Sequence, residues 1–310
     1  MVDVVIPFAV KPLGVRGRIV RLGAVIDDIL SRHDYPEAVS ALLAESVALT
    51  AMLGTALKFD GKFIVQTKTS GPVNMIVADY ISPSGVRGCA KYSPEKLGAL
   101  AKPDQKQLLG EGYLAMTVDQ GADMERYQGI VPLGSSTLAD AAHTYFEQSE
   151  QIPTRLRVAA GPLFERGEKK PHWRAGAILV QHIPVEGGLP PMKISSGDAP
   201  EGSEDEIQED DNWVKARLLL DTVEDHELLD PTLTAEEILY RLYHEDGVTV
   251  YPAIAINRHC TCSRETVSVM LNNFSSADRA DMVKDGAIEV VCEFCSTPYK
   301  FTLADFGQDA

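Results

Sequence analysis

Cys260-Thr261-Cys262 and, after 29 intervening residues (263–291), Cys292-Glu293-Phe294-Cys295 are the stretch on which the reading of this chain turns. A C-x-C and a C-x-x-C together supply four thiolates, the full complement of a closed tetrahedral zinc site. The residues between them read as a compact unit. Ser263 is placed to cap a helix to about Leu271, and a second helix runs from about Ala277 to a C-terminal glycine at Gly286. Strands at 288–291 and 299–303 flank the C-x-x-C turn. The spacing implies one zinc ion held by Cys260, Cys262, Cys292 and Cys295 in a small α+β module. His259, beside the first cysteine, is left over once four thiolates fill the shell.

Three chemistries suit such a cluster. One is permanent structural zinc. A second is a nucleic-acid-reading zinc module, opposed by five basic residues (258, 264, 279, 284, 300) against ten acidic ones (245, 246, 265, 278, 281, 285, 289, 293, 305, 309). The third is a redox switch, because metal-held thiolates are deprotonated and the thiolate is the form that oxidants attack. Structural zinc supplies roughly 10–16 kcal/mol in a small module, against about 5–15 kcal/mol for the stability of a whole domain. Oxidation that expelled the metal would therefore unfold the module and release whatever it holds.

The rest of the chain bounds the answer. With 310 residues, 45% of them hydrophobic, it can bury a sizeable core in more than one domain. A net charge of -16 argues against nucleic acid and against anionic membranes as partners. Five cysteines, four of them clustered, fit a reducing, cytoplasmic compartment. The N-terminus lacks the basic start and apolar stretch of a signal peptide. Residues 38–57 imitate a membrane span but contain Glu45, and read as a buried helix of a soluble domain, begun at Pro36.

Residues 1–190 form an N-terminal block. Alternation places strands at 62–69 and 73–81 around the Ser70-Gly71-Pro72 turn, with more at 86–92, 113–119, 127–133, 154–160 and 173–180. A helix is expected over 137–149, capped by Ser135 or Ser136. Gly85–Gly88 and Gly110–Gly112 look like turns, and Cys89 like a small apolar residue on or near a strand. Strands and helices without regular βαβ alternation indicate an α+β fold. Residues 191–245 form an acidic insertion and a helical linker. Eight acidic residues and no Lys or Arg fall within 198–211, the signature of a solvated like-charge block. Helices follow at 213–223 and from the Thr234-Ala-Glu-Glu237 capping box. Both are too short to stand alone in water and must dock on something. Residues 246–310 form the cysteine module.

No G-x-x-x-x-G-K-[ST], G-x-S-x-G or H-E-x-x-H pattern occurs, so nucleotide hydrolysis and common hydrolase chemistry have no anchor. The polar stretches at 125–129 and 147–155 could line a pocket, which keeps open an enzyme acting through Glu125 or Arg155. An adaptor with inert zinc is a further alternative.

Cys260-Thr-Cys262-Ser-Arg-Glu, Cys292-Glu-Phe-Cys295 and Tyr299-Lys-Phe301, with Glu125-Arg-Tyr-Gln-Gly129-Ile-Val, the 145–155 stretch, Gly71-Pro72 and Val86-Arg-Gly88, resemble the redox-regulated heat-shock protein 33 chaperones over nearly the whole chain. The resemblance implies an N-terminal α+β substrate-binding and dimerisation domain, a metastable helical linker and a C-terminal zinc redox-switch domain, with no enzymatic activity. It implies four-cysteine zinc in the inactive reduced state. On oxidation it implies Cys260–Cys262 and Cys292–Cys295 disulfides, zinc release, a loosened linker, a homodimer, and ATP-independent holding of unfolding clients. No compact motif marks the client surface. Trp213, Leu218, Leu219 and Leu220 are nominated for it, as apolar residues of a marginal helix. The 198–211 insertion looks longer than the family's usual connection, and Cys89 lies outside the switch motifs.

Overall fold

The computed structural model describes residues 3–57, 60–121, 126–134, 136–164, 171–183 and 210–306. Its chain opens on β1 (Val4–Val10) and β2 (Val15–Leu22), joined by a tight turn in which Gly14 takes the left-handed conformation (φ 60). Helices α1 (Ala24–Leu30) and α2 (Glu37–Gly54) follow, then β3 (Lys62–Thr69), β4 (Val73–Ile81) and β5 (Gly85–Tyr92). Short helices α3 (Pro94–Gly98) and α4 (Gln105–Leu109) lead to β6 (Gly112–Asp119), β7 (Tyr127–Pro132), α5 (Leu138–Tyr145), β8 (Thr154–Leu163) and β9 (His172–His182). The linker supplies α6 (Asp211–Asp221), α7 (Asp225–Leu229) and α8 (Ala235–Tyr243). Three two-residue strands, β10 (Thr249–Val250), β11 (Ile254–Ala255) and β12 (Asn257–Arg258), precede α9 (Arg264–Asn272), α10 (Ser276–Asp281), β13 (Ile288–Val291) and β14 (Pro298–Phe301).

Two sheets enclose α2. The first runs β10-β1-β2-β9-β8, with β11 also on β1; the second runs β12-β5-β4-β3-β6-β7. All pairings are antiparallel except β12 on β5. Pro7 cannot donate to a ladder, and it stands opposite the gap between β10 and β11, where its carbonyl accepts from Tyr251 N at 2.9 Å. One core cluster joins Val20, Leu22 and Leu179 of the first sheet to Val65, Ile76 and Val86 of the second through Leu43, Val47 and Met52 of α2. A helix packed on two sides has no polar face to keep, which is why its composition imitates a membrane span. Among the described residues α2 alone is long and apolar enough to cross a membrane, and 78% of that window is buried inside the protein. Its hydroxyls turn inward on the helix: Ser46 donates to the Leu42 carbonyl at 2.8 Å and Thr50 to that of Ser46 at 2.6 Å.

Glu45, half-buried on α2, accepts a hydrogen bond from Gln105 Nε2. Burial pushes its carboxyl up from 4.5 to about 7. The folded chain therefore holds a proton there that the unfolded chain has lost, so this group's stabilising contribution is full below about 4.5 and is lost as pH rises to about 7. Glu45→Gln is expected to flatten that decline in denaturant unfolding measured across this window. An undiminished slope would count against it.

The linker helices cover the other face of the first sheet. Trp213, Leu220, Val223, Leu228, Leu239 and Tyr243 are buried against Phe8, Ile19, Ile178 and Val180. The Tyr243 hydroxyl donates to the Ala216 carbonyl at 3.1 Å. Polar groups tie the same surfaces together. Buried Arg21 of β2 donates to the backbone carbonyls of Glu227 (3.1 Å) and Asp230, and Arg155 and Arg157 of β8 pair with Asp221 (2.6 Å) and Asp225 (3.0 Å). The order through the molecule is thus linker helices, first sheet, α2, second sheet.

Several local expectations are corrected. The α5 cap is Thr137, whose hydroxyl accepts from Asp140 N, because Thr137 and Asp140 complete a capping box that Ser136 cannot; Ser135 lies outside the described residues. Pro36 is the α2 cap rather than its first turn. Gly85–Gly88 is strand, paired with β4 and β12. α10 ends at Asp281, and Gly286 (φ 82) serves instead the turn closed by Lys284 and Ala287 before β13. Residues 249–258 pair with strands of the N-terminal block rather than with the cysteine module. Residues 198–209 lie outside the described residues.

Candidate metal centre

The cysteine module has a very small core of its own. Leu271, Ile288, Phe301 and Phe306 are its buried apolar residues, with Val267, Met282 and Val290 packed against them. So few apolar groups cannot offset the chain entropy of about 50 residues, and a module of this kind needs a staple. Ser263 caps α9 through Thr266 N, which fixes the chain direction directly after Cys262. β13 and β14 form a hairpin whose tip is the C-x-x-C turn, closed by Cys292 N donating to the Thr297 carbonyl at 3.0 Å and Ser296 N to that of Cys292 at 2.8 Å.

These two supports bring the four cysteines together. The Sγ atoms of Cys260, Cys262, Cys292 and Cys295 lie within 4.8 Å of one another. Individual separations are 3.3 Å for Cys260–Cys262, 3.7 Å for Cys260–Cys292 and 3.3 Å for Cys262–Cys295. A zinc–sulfur bond of about 2.3 Å sets the edge of a ligand tetrahedron at about 3.8 Å, so the cluster has the size that zinc requires. Burial resists charge on Cys295, yet hydrogen bonding with Thr297 and the neighbouring thiols brings it down to about 6. Burial and hydrogen bonding with the other three thiols push Cys262 up to about 12, and burial raises Cys292. Four sulfurs this close cannot all ionise alone, whereas a dication at their centre would let each be a thiolate. The donor set and its geometry fit zinc.

Tyr299 was not marked by its spacing, yet its hydroxyl donates to Cys262 Sγ at 3.2 Å, and that bond raises the phenol to about 12. Groups that orient metal ligands are typically worth about 10–100-fold in metal affinity. Tyr299→Phe is expected to weaken zinc by about that factor in chelator competition. Unchanged competition would mean that the hydroxyl plays no part.

The module rests on the edge of the second sheet. Asn257 N and His259 N donate to the carbonyls of Ser84 and Val86, each at 2.9 Å, and Arg258 pairs with Asp28. Around the C-x-x-C turn, Lys91 meets Glu293 at 2.6 Å, and His33 contacts the Phe294 carbonyl and Ser296 Oγ, each at 3.3 Å. Cys89, buried on β5, stands outside the sulfur group and lines a cleft of about 260 Å³ shared with Cys292, His33 and Tyr35. Burial, then Glu293, pushes its thiol up to about 12, the condition of an unreactive core cysteine. His259 is not in the sulfur group.

The nominated client residues divide. Trp213 and Leu220 are buried between α6 and the first sheet, Leu219 is half-buried, and Leu218 is 55% exposed. Glu125 lies outside the described residues, and Arg155 is engaged by Asp221.

The family model described as Hsp33 protein matches residues 3–302. A 33 kDa chaperonin of Caulobacter vibrioides is 43% identical over 303 residues, covering 96% of this chain and 94% of the relative. One from Escherichia coli is 34% identical over 295 residues, covering 95% and 90%. The crystal structure of the 33 kDa chaperonin of Thermotoga maritima aligns with a TM-score of 0.76 at 23% identity, over 98% of this chain and 96% of that one, and shows the same fold. A match of this length, carried by an α+β fold with the four cysteines gathered at its C-terminal end, makes the chain a member of the heat-shock protein 33 family of chaperones.

Proposed function

We propose that this chain is a redox-regulated holdase. It binds unfolding proteins without ATP under oxidative stress, and it is held inactive by zinc at Cys260, Cys262, Cys292 and Cys295. The observation that carries this reading is the gathering of four sulfurs, from two motifs 29 residues apart, in a module whose apolar core is too small to hold itself. When bound, zinc supplies the cross-link between the motifs.

In the reading, a peroxide-class oxidant takes two electrons from each cysteine pair. A thiolate attacks the peroxide oxygen, giving a sulfenic acid and water after protonation; the second thiol displaces a second water and closes the disulfide. Cys260–Cys262 and Cys292–Cys295 are the pairs the family resemblance implies. Once both have formed, no thiolate remains to bind the ion and the motifs are no longer joined. The module then loosens, the linker leaves the first sheet, and the chain dimerises. Trp213, Leu219 and Leu220, together with the apolar sheet face beneath them, become available to clients, beside Leu218. The reducing cytoplasm keeps the resting state thiol.

The test is zinc content and suppression of client aggregation on one sample, before and after peroxide at mild heat. Zinc lost as suppression appears, both reversed by thiol reductant plus zinc, is the expected result. Zinc retained with suppression unchanged would overturn it. Leu218→Glu is expected to weaken holding by the oxidised protein, and full retention would remove that residue from the client surface.

A further inference from the structure

Arg87 of β5 makes contacts that the metal centre alone does not require. Its guanidinium is anchored from behind by Asp79 of β4, with Nη2 at 2.6 Å and Nε at 2.7 Å from Oδ2, and that carboxylate is 3% exposed. From the front, Nη1 donates to Thr261 Oγ1 at 2.9 Å, and the guanidinium lies 4.0 Å from the centre of the Phe294 ring. Thr261 is the single residue inside the C-x-C motif, and Phe294 is inside the C-x-x-C motif. One arginine of the N-terminal block thus touches the interior of both cysteine motifs at once.

We propose that Arg87 is the positioning residue through which the N-terminal block senses whether the two motifs share a metal. This inference rests on the redox-holdase reading above. Thr261 and Phe294 are far apart in sequence and lie under one guanidinium only while the four sulfurs form a single cluster. A disulfide within each motif preserves each motif but abolishes the link between them, so the two contacts can no longer be made together. The geometry suits arginine specifically. A planar fork can chelate Asp79, reach a hydroxyl and present a face to a ring at the same time, which the point charge of lysine cannot do. Rigid anchoring on a buried carboxylate makes the contacts stringent, since the guanidinium cannot follow a displaced partner.

The surrounding contacts are poorer reporters. Lys91–Glu293 joins two exposed side chains and contributes little, as exposed pairs generally do. His33 meets only the C-x-x-C side. Arg258–Asp28 lies before the first cysteine and is indifferent to how the sulfurs pair.

The experiment uses the full reduced chain loaded with zinc. Phe294→Leu, Thr261→Val and their combination leave the Arg87–Asp79 pair and all four thiols intact. Arg87→Lys tests the other side of the contact. Zinc content is read beside amide exchange at Asn257 and His259, whose N–H groups bond to Ser84 and Val86. Expected is one zinc per chain throughout, unaltered exchange at Leu271 and Ile288 inside the module, and about tenfold faster exchange at 257 and 259 in the double variant, the scale of one cation–π contact and one hydrogen bond together. Arg87→Lys should give the same pattern, with no further acceleration when combined with the double variant. Unchanged exchange in the module-side variants overturns the proposal. So does zinc loss in them, which would make Arg87 a support of the metal site rather than a reader of it. If wild-type protein keeps 257 and 259 protected after peroxide has released its zinc, the Arg87 proposal fails; if peroxide releases no zinc and client suppression is unchanged, the redox-holdase reading fails, whatever Arg87 does.

Discussion

A Gly176→Ala chain is expected to release its linker, and so to suppress client aggregation while fully reduced and zinc-loaded. Gly176 lies on β9, between Arg21 of β2 and Ala159 of β8, directly beneath α7. A Cβ there would stand 2.5 Å from the Leu228 carbonyl oxygen and 3.0 Å from its Cβ. The obstacle is backbone and cannot rotate away. Helix α7 is held flat on the sheet by Arg21, which captures the carbonyls of Glu227 and Asp230 on either side of Leu228, itself fully buried. Overpacking of this kind costs about 1–3 kcal/mol. A shift of that size moves an equilibrium by about 5–150-fold. Helices of 5 to 11 residues have no means of resisting it alone. Amide exchange over 211–243 should rise while zinc stays at one per chain, because Gly176 and the cysteines serve different sheets. Wild-type protection in this variant would show that the linker is not held by close approach to β9.

Cys292→Ser should have the larger structural effect. Three thiolates and a hydroxyl are a poor set for zinc, and roughly 10–16 kcal/mol of folding free energy in such a module comes from the metal. Among the described residues its apolar core cluster is just Leu271, Ile288, Phe301 and Phe306, which cannot compensate. The variant is expected to lose zinc on dialysis against a mild chelator. Protection of the β13–β14 hairpin should vanish, while the first and second sheets keep their exchange rates. A hairpin still protected after the metal is gone would mean that the module folds on its own contacts, and that metal loss cannot be the trigger.

Much of this was legible in the sequence, for identifiable reasons. The four-cysteine cluster is defined by residue type and spacing, which folding does not alter. Strands β3 and β4 alternate because α2 covers one face of their sheet and leaves the other partly open, and their limits agree with the alternation residue for residue. The linker helices carry their own punctuation, including the Thr234–Glu237 capping box.

β1 and β2 gave no such signal. Both their faces are covered, one by α2 and the other by the linker, so β1 is a near-continuous apolar run without period. In β2 the half-buried Arg18 and the buried Arg21 break the pattern. Arg21 looks like a surface residue until the linker carbonyls that it serves are in place. The sequence likewise placed a terminating glycine at Gly286, because a left-handed glycine is equally needed in a tight turn, and composition does not separate the two uses. Tyr299 and Arg87 lie in stretches that carry the family resemblance, but their action on the cysteines depends on tertiary approach, which neither periodicity nor spacing discloses.

The central claim is that the metal governs whether the linker is docked. Its most direct test is to titrate reduced, zinc-loaded protein with peroxide and to follow released zinc and amide exchange over 211–243 in the same samples. The account predicts that protection of α6, α7 and α8 falls in proportion to the zinc released and returns with reductant plus zinc. Linker helices still protected after all the zinc has been released would contradict it.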